Sequence, residues 1–422
     1  MTSLRPSTTG IYGLAPFFRH TDKWKNRESL NQCFRRQGYQ TYTAGKIYHA
    51  THGRTAEEFD HIGPVGLPRR FPEQPLVQPR PIGNNPWVDW GLFEHDETEK
   101  TDYDVASWTI DQIRQTNRQK PFFIACGFFQ PHVPCYPPPK YWNLYSKFSS
   151  LIPNIDPLDR LDCSPFAWYT HWYHPEPRLA WLRKHDQHDH LVRSYLACTT
   201  FVDAQLGRVL DALQGSSYAD NTIICLWSDH GYHLGEKNMT GKTTLWRRST
   251  HVPLMFAGPG IPTNQQRSSA AELLDIYPTL TQLCGLQTPD DLEGTCLIEQ
   301  IRDPAAGQNR VAITDHNPGN QSIRNQQYTL IHYGDGSEEF YDHRADPNEQ
   351  TNRISDPTMQ EEIHALRSRL TPDMAGLIEG SKARVLERRG NDYYWQNQKI
   401  DPDHPPMDIS PHQPKDLPRI TP

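Results

Sequence analysis

Three times in its first 230 residues the chain runs from a helical pattern into a short apolar strand and stops on a polar residue. Residues 27–37 place Leu30, Cys33, Phe34 and Gln37 at helical spacing, Gly38 ends that helix, and Tyr39–Ala44 reads as a strand followed by Lys46. A helix over about 102–117, carrying Tyr103, Ile110 and Ile113, leads into the apolar run Phe122–Phe129, and His132 follows. A longer helix over about 190–214, with Tyr195, Val202, Leu206, Val209 and Leu213 on one face, leads into a strand at 222–227, and Asp229 and His230 come next. This order predicts an α/β fold, a doubly wound and mostly parallel sheet flanked by helices. Such sheets place their sites just past the carboxyl ends of the strands.

A fourth strand, Val252–Ala257, and a helix over about 269–284 complete a main domain spanning 1–304. From about 305 short β-like runs, Val311–Thr314, Tyr328–Tyr333 and Glu339–Tyr341, surround a Gly-Asp-Gly turn, with one helix near 357–370. They predict a smaller antiparallel α+β domain over 305–372. The remainder, 373–422, is read as an irregular tail, with seven prolines from 401 onward. Prolines also crowd 64–86 and 131–139, which read as extended loops over the carboxyl edge of the sheet.

Composition removes several classes of function. A net charge of −7 gives no basic face for nucleic acid. No apolar stretch approaches the roughly 18 residues that a membrane helix needs. The eight cysteines, at 33, 126, 135, 163, 198, 225, 284 and 296, contain no C-x-x-C pair, so no zinc ribbon or thioredoxin-type motif is present. Cys126 and Cys225 read as buried thiols of core strands.

Residues 226–242 hold the densest chemistry: Leu-Trp-Ser-Asp-His-Gly-Tyr-His-Leu-Gly-Glu-Lys-Asn-Met-Thr-Gly-Lys. An acid, two imidazoles, glycines and the lysines 237 and 242 at a strand's end suit a metal and an anion held together. Asp229 and His230 are placed to ligate a cation, and Lys242 to reach an anion bound to it. Gly241-Lys-Thr is no P-loop end, because five residues rather than four separate Gly235 from Gly241. The cluster His185, Asp186, His188, Asp189 and His190 reads as a solvated helix start rather than a metal site.

Six segments in the same order resemble the sulfatase family of the alkaline-phosphatase superfamily, over about residues 3–353. They are Leu4–Tyr12, Gly45–His49, Phe128–Pro134, Trp227–Gly258 in three pieces, Leu274–Leu280 and Phe340–Pro347. The match is nearest the iduronate-2-sulfatase-like branch. The resemblance implies hydrolysis of sulfate esters, on a carbohydrate, by a metal-assisted formylglycine mechanism. Asp229 and His230 would ligate a divalent cation, calcium in this family, although calcium favours oxygen ligands over imidazole. Lys46 and Lys242 would neutralise the sulfate oxygens, His49 would orient the nucleophile, and His132 would protonate the departing oxygen. His233 would join the substrate-binding set, chiefly by supporting the site from behind.

The family's nucleophile comes from C-x-[PA]-x-R, and none of the eight cysteines fits it: Cys135 precedes Tyr-Pro-Pro-Pro and Cys163 precedes Ser-Pro-Phe-Ala. The early Asp-Asp metal pair is also missing, and Met1–Pro6 resembles the point just after the nucleophile helix. The expectation is a chain that begins late, by a mis-assigned start or a true truncation, and is inactive alone. Unpaired edges left by a lost central strand should favour aggregation. Two other readings stand beside this one: a non-catalytic binder of sulfated glycans, and a phosphoesterase of the same superfamily, which would need a Ser or Thr nucleophile and further metal ligands. The family is usually exported; neither the compartment nor the oligomeric state is written in this sequence.

Overall fold

A computed structural model describes residues 1–404, apart from 82–84, 86, 116–117, 148–150 and 154. The chain forms two compact units. The first comprises Met1, Glu28–Ile152 and Leu182–Ile223; the second comprises Thr2–Arg27, Pro153–Trp181 and Ile224–Pro422.

In the first unit Ser29 and Gln32 form a capping box at the start of helix α1 (Leu30–Arg36), which buries Leu30, Asn31, Cys33 and Phe34. Strand β1 (Gln40–Gly45) follows after the turn at Gly38. It is the middle strand of a parallel sheet, flanked by β2 (His61–Ile62) and β3 (Phe122–Gly127). The register runs from Gln40 opposite Phe122 to Gly45 opposite Gly127, so both strands end at one level. Helix α2 (Thr101–Ile113) buries Val105, Ala106, Ile110 and Ile113 and packs against α3 (His188–Gln214). The residues at 116–117, read as part of α2, lie outside the described set.

Two expectations shift here. The deep stripe of α3 is Leu191, Ser194, Cys198, Phe201 and Gln205, while Tyr195, Val202, Leu206 and Val209 are half-buried. The helix is rotated from the apolar reading because Arg208 lies on Tyr103 of α2 at 3.9 Å and donates to Ser107. Cys126 is not fully covered either: all six residues of β3 are half-buried.

In the second unit β4 (Ile224–Trp227) pairs with a later strand, and the site loop follows it as the small ladder of β5 (His233–Leu234) and β6 (Thr240–Gly241). The partner of β4 is β7 (Leu254–Ala257), and they run antiparallel. Cys225 is half-buried, and Trp227 and Met255 are exposed. The predicted helix at 269–284 begins as a 3-10 turn, Leu273–Asp275, and becomes α4 (Ile276–Leu283).

A four-stranded antiparallel meander comes next, β8 (Ala312–Asp315), β9 (Gln321–Arg324), β10 (Tyr328–His332) and β11 (Glu338–Asp342), covered by α5 (Gln360–Arg367). Ile323, Leu330, Phe340, Ile363 and Leu366 form its core. The stretch from 373 is not irregular throughout. Strands β12 (Leu386–Arg389), β13 (Asp392–Trp395) and β14 (Gln398–Lys399) form an antiparallel sheet. Leu386, Trp395 and Ile400 enter an aromatic core with Phe166, Trp168, Trp246 and Tyr341. The prolines that suggested disorder cluster beyond 401, and 405–422 lie outside the described residues.

Candidate active site

The residues singled out from sequence divide between the units. Lys46, His49 and His132 belong to the first, and Asp229, His230, His233 and Lys242 to the second.

In the first unit Lys46 is the residue immediately after β1, and its N–H donates to the Gly127 carbonyl at 2.8 Å. A Cβ on Gly45 would stand 1.7 Å from that oxygen, and one on Gly127 would stand 2.0 Å from the Lys46 oxygen. Glycines are therefore obligatory at both strand ends, and their contact fixes where Lys46 emerges. Beyond it, Tyr48 donates to the carboxylate of Glu58 at 3.0 Å and to Asn31 Oδ1 at 3.2 Å. Glu58 also accepts from Ser29 and Asn31, tying the segment of exposed His49 to α1.

His132 lies past the end of β3, on the same carboxyl edge as Lys46. Buried Asp102, in the first turn of α2, accepts the N–H groups of Phe129 (2.8 Å) and Gln130 (3.0 Å). Burial pushes its carboxyl up to about 6, against the pull of those two donors and of Lys100. The Gln130 amide in turn holds the carbonyls of His132 and Pro134. The imidazole donates Nδ1–H to the Val133 oxygen at 2.7 Å, which fixes the ring's tautomer with Nε2 unprotonated in the neutral form.

In the second unit Gly231 closes the turn after β4: its N–H donates to Ser249, and a Cβ there would stand 1.9 Å from the Arg248 oxygen. His230 donates Nδ1–H to the Gly231 carbonyl at 2.9 Å, which leaves a lone pair on Nε2. That nitrogen lies 2.8 Å from Lys242 Nζ and 3.6 Å from Asp229 Oδ1. Acid, imidazole and ammonium thus converge on one atom.

The other lysine of the loop is turned away. Lys237, at φ 55°, is fully buried and pairs with buried Asp159 at 2.8 Å. Trp246 donates Nε1–H to Glu339 at 2.7 Å, and Glu349 accepts the Arg247 N–H at 2.6 Å. These contacts pin the loop at both ends and leave Lys242 near His230.

His233 is fully buried, with Nδ1 3.1 Å from the Glu236 carbonyl and Nε2 3.1 Å from Thr244 Oγ1. Burial lowers it to about 3, so it is neutral. Both of its nitrogens are occupied by groups of the same loop, so the ring ties together the segment that carries Lys242. His188 and His190 occupy the first turn of α3. Sequence reading missed Asp102, Glu58 and Asp159, whose partners lie 10 to 78 residues away. A buried carboxylate at a helix start was the one local hint, at Asp102.

The structure also bears on the implied cation. Asp229 and the unprotonated Nε2 of His230, which now accepts from Lys242, are sound donors for a divalent ion, but among the described residues no group of three or more His, Cys, Asp or Glu converges. Calcium takes six to eight oxygen ligands. The pair fits part of a cation's shell and does not complete one.

The family model described as sulfatase matches residues 1–286, and that of the N-sulphoglucosamine sulphohydrolase C-terminal region matches 235–375. A sulfatase of Formosa agariphila is 37% identical over 385 residues, covering 88% of this chain and 75% of that protein. Human iduronate 2-sulfatase is 27% identical over 346 residues, covering 68% of this chain, which spans 60% of its length. Among solved structures, one in complex with its substrate D-glucosamine-2-N,6-O-disulfate superposes with a TM-score of 0.61 at 18% identity, covering 86% of each chain. That last likeness is one of fold. A parallel sheet with helices, an antiparallel carboxyl-terminal region and a family model spanning two thirds of the sequence agree, and the chain belongs to the sulfatase family.

Proposed function

We propose that the protein acts on sulfate esters of carbohydrates, with Lys242 and Lys46 holding the sulfate, Asp229 and His230 contributing two ligands to a divalent cation, calcium, and His132 serving the leaving oxygen. The observation that carries this is the convergence at His230 Nε2, where a metal-competent lone pair faces both a carboxylate and an ammonium. That combination suits an anion bound to a cation, and neither lysine nor imidazole alone would specify it. A cation at this point would neutralise charge on the sulfate oxygens.

The residues themselves do the following. Lys242 donates to sulfate oxygen. With a nucleophile present, His132 in its imidazolium form, Nδ1–H fixed on Val133, would deliver the Nε2 proton to the alcohol oxygen as it departs, and His49 would orient the attacking group. The attacking group in the family is formylglycine made from a cysteine in C-x-[PA]-x-R, which is absent from these 422 residues. The chain as written therefore binds the ester without turning it over.

Calorimetric titration with calcium and a sulfated monosaccharide tests the reading. Binding by the wild-type chain and its loss in Lys242→Ala are expected, together with no release of nitrophenol from an aryl sulfate. Turnover by this chain would refute the inactivity, and equal binding by Lys242→Ala would remove the sulfate site.

A further inference from the structure

We propose that Arg384, His174 and Glu176 form a second anion subsite beside Lys242, which selects saccharides carrying another negative group next to the sulfate ester. This rests on Lys242 holding that ester. All of these residues lie in the second unit.

The segment of His174 and Glu176 is joined to the site loop by a strand-like bridge and side-chain hydrogen bonds. Arg178 bridges to Met239, Thr240 Oγ1 donates to the Pro177 carbonyl at 2.6 Å, and Arg178 NH1 donates to the Glu176 carbonyl at 2.6 Å. The Glu176 side chain rests on Gly241, its Cγ 3.1 Å from where a Cβ would stand, at a φ of +108°. Lys242 is the next residue along the chain.

His174 is buried, and its Nδ1 has two suitors. Arg384 NH1 lies 2.8 Å away and Glu176 Oε2 lies 3.3 Å away. A guanidinium only donates, so Nδ1 is bare while Arg384 holds it, and the one imidazole proton sits on Nε2, which has no partner. A bare nitrogen then faces a carboxylate oxygen, an arrangement with no hydrogen bond between them.

Arg384 is solvent-exposed and uses a charged, five-donor group on a neutral ring. An incoming carboxylate or sulfate offers it a charge-assisted, bidentate partner instead. Once Arg384 turns to that anion, the ring takes its other tautomer, with the proton on Nδ1 donated to Glu176. The ring stays neutral and no proton is gained or lost. The exchange replaces one poor contact with two good ones, which a singly charged ligand cannot do.

The test uses calorimetry on the full chain with three probes: N-acetylglucosamine 6-sulfate, N-sulfoglucosamine 6-sulfate, and a methyl glucuronoside 2-sulfate. Wild type should bind the two dianions about tenfold more tightly than the mono-anion. The sulfamate and carboxylate arms show which second group is preferred. In Arg384→Gln, confirmed folded by circular dichroism, that advantage should vanish. Equal affinity of wild type for all three, or an undiminished advantage in Arg384→Gln, overturns the subsite. Should Lys242→Ala keep mono-anion binding while Arg384→Gln still cancels the advantage, the sulfate reading of Lys242 fails and the Arg384 subsite stands. Absence of binding to every probe overturns both.

Discussion

With its Nδ1 proton given to Gly231, His230 keeps one basic atom, and the Lys242 ammonium now donates to it. A cation at that atom must displace the ammonium, and a sulfate gives the displaced ammonium a place to go. Cation and sulfate should therefore bind with positive coupling. Calcium titrations with and without sulfate should show affinity rising several-fold with the anion, and Lys242→Ala should remove that dependence. The same residue shows what sequence could and could not tell. Asp229, His230 and Lys242 were recognisable because their spacing is local. The contrast between Lys242 and Lys237 was not, since it depends on Asp159 meeting Lys237 across 78 residues. His233 likewise read as a candidate ligand until Thr244 and Glu236 took both its nitrogens.

At the level of elements, glycine contacts set the end of the parallel sheet. Gly127→Ala would drive a methyl into the Lys46 carbonyl, and relief requires β1 and β3 to part. A loss of about 3 kcal/mol or more in a urea melt is expected, larger than for an ordinary strand glycine. Removing the clamp on the His132 segment is a change of comparable size. Asp102→Ala leaves two buried N–H donors without an acceptor, and each costs about 1–3 kcal/mol. Strand and helix order was legible because periodicity switches cleanly between elements. The sheet at 386–399 was hidden, because Leu386–Arg389 and Asp392–Trp395 are polar outside Leu386 and the tyrosine–tryptophan run, and their burial comes from Phe166 and Trp168 far upstream.

The whole molecule carries a burden of neutral, buried histidines in its second unit. Burial lowers His171 well below its usual range and His233 to about 3. Since the folded forms resist protonation while unfolded histidine accepts a proton near 6.5, stability is complete above that value and falls as the pH drops below it. His233 alone should cost about 2 kcal/mol between pH 7 and pH 5 and His171 adds to the loss in the same direction, read as a falling melting temperature by circular dichroism. His171→Asn with His233→Asn should flatten that slope. Met255 and Trp227 are exposed on opposite faces of the β4–β7 pair, and Met255→Lys should reduce aggregation measured by light scattering.

Trp227 has one more consequence. Its indole is 38% exposed and stands two residues before Asp229, at the end of the strand that carries the candidate ligands. Its emission is then a built-in optical sensor: a cation or sulfate arriving at Asp229 and Lys242 changes the polarity around that ring. The difference spectrum between wild type and Trp227→Phe would report occupancy without any label, substrate or turnover.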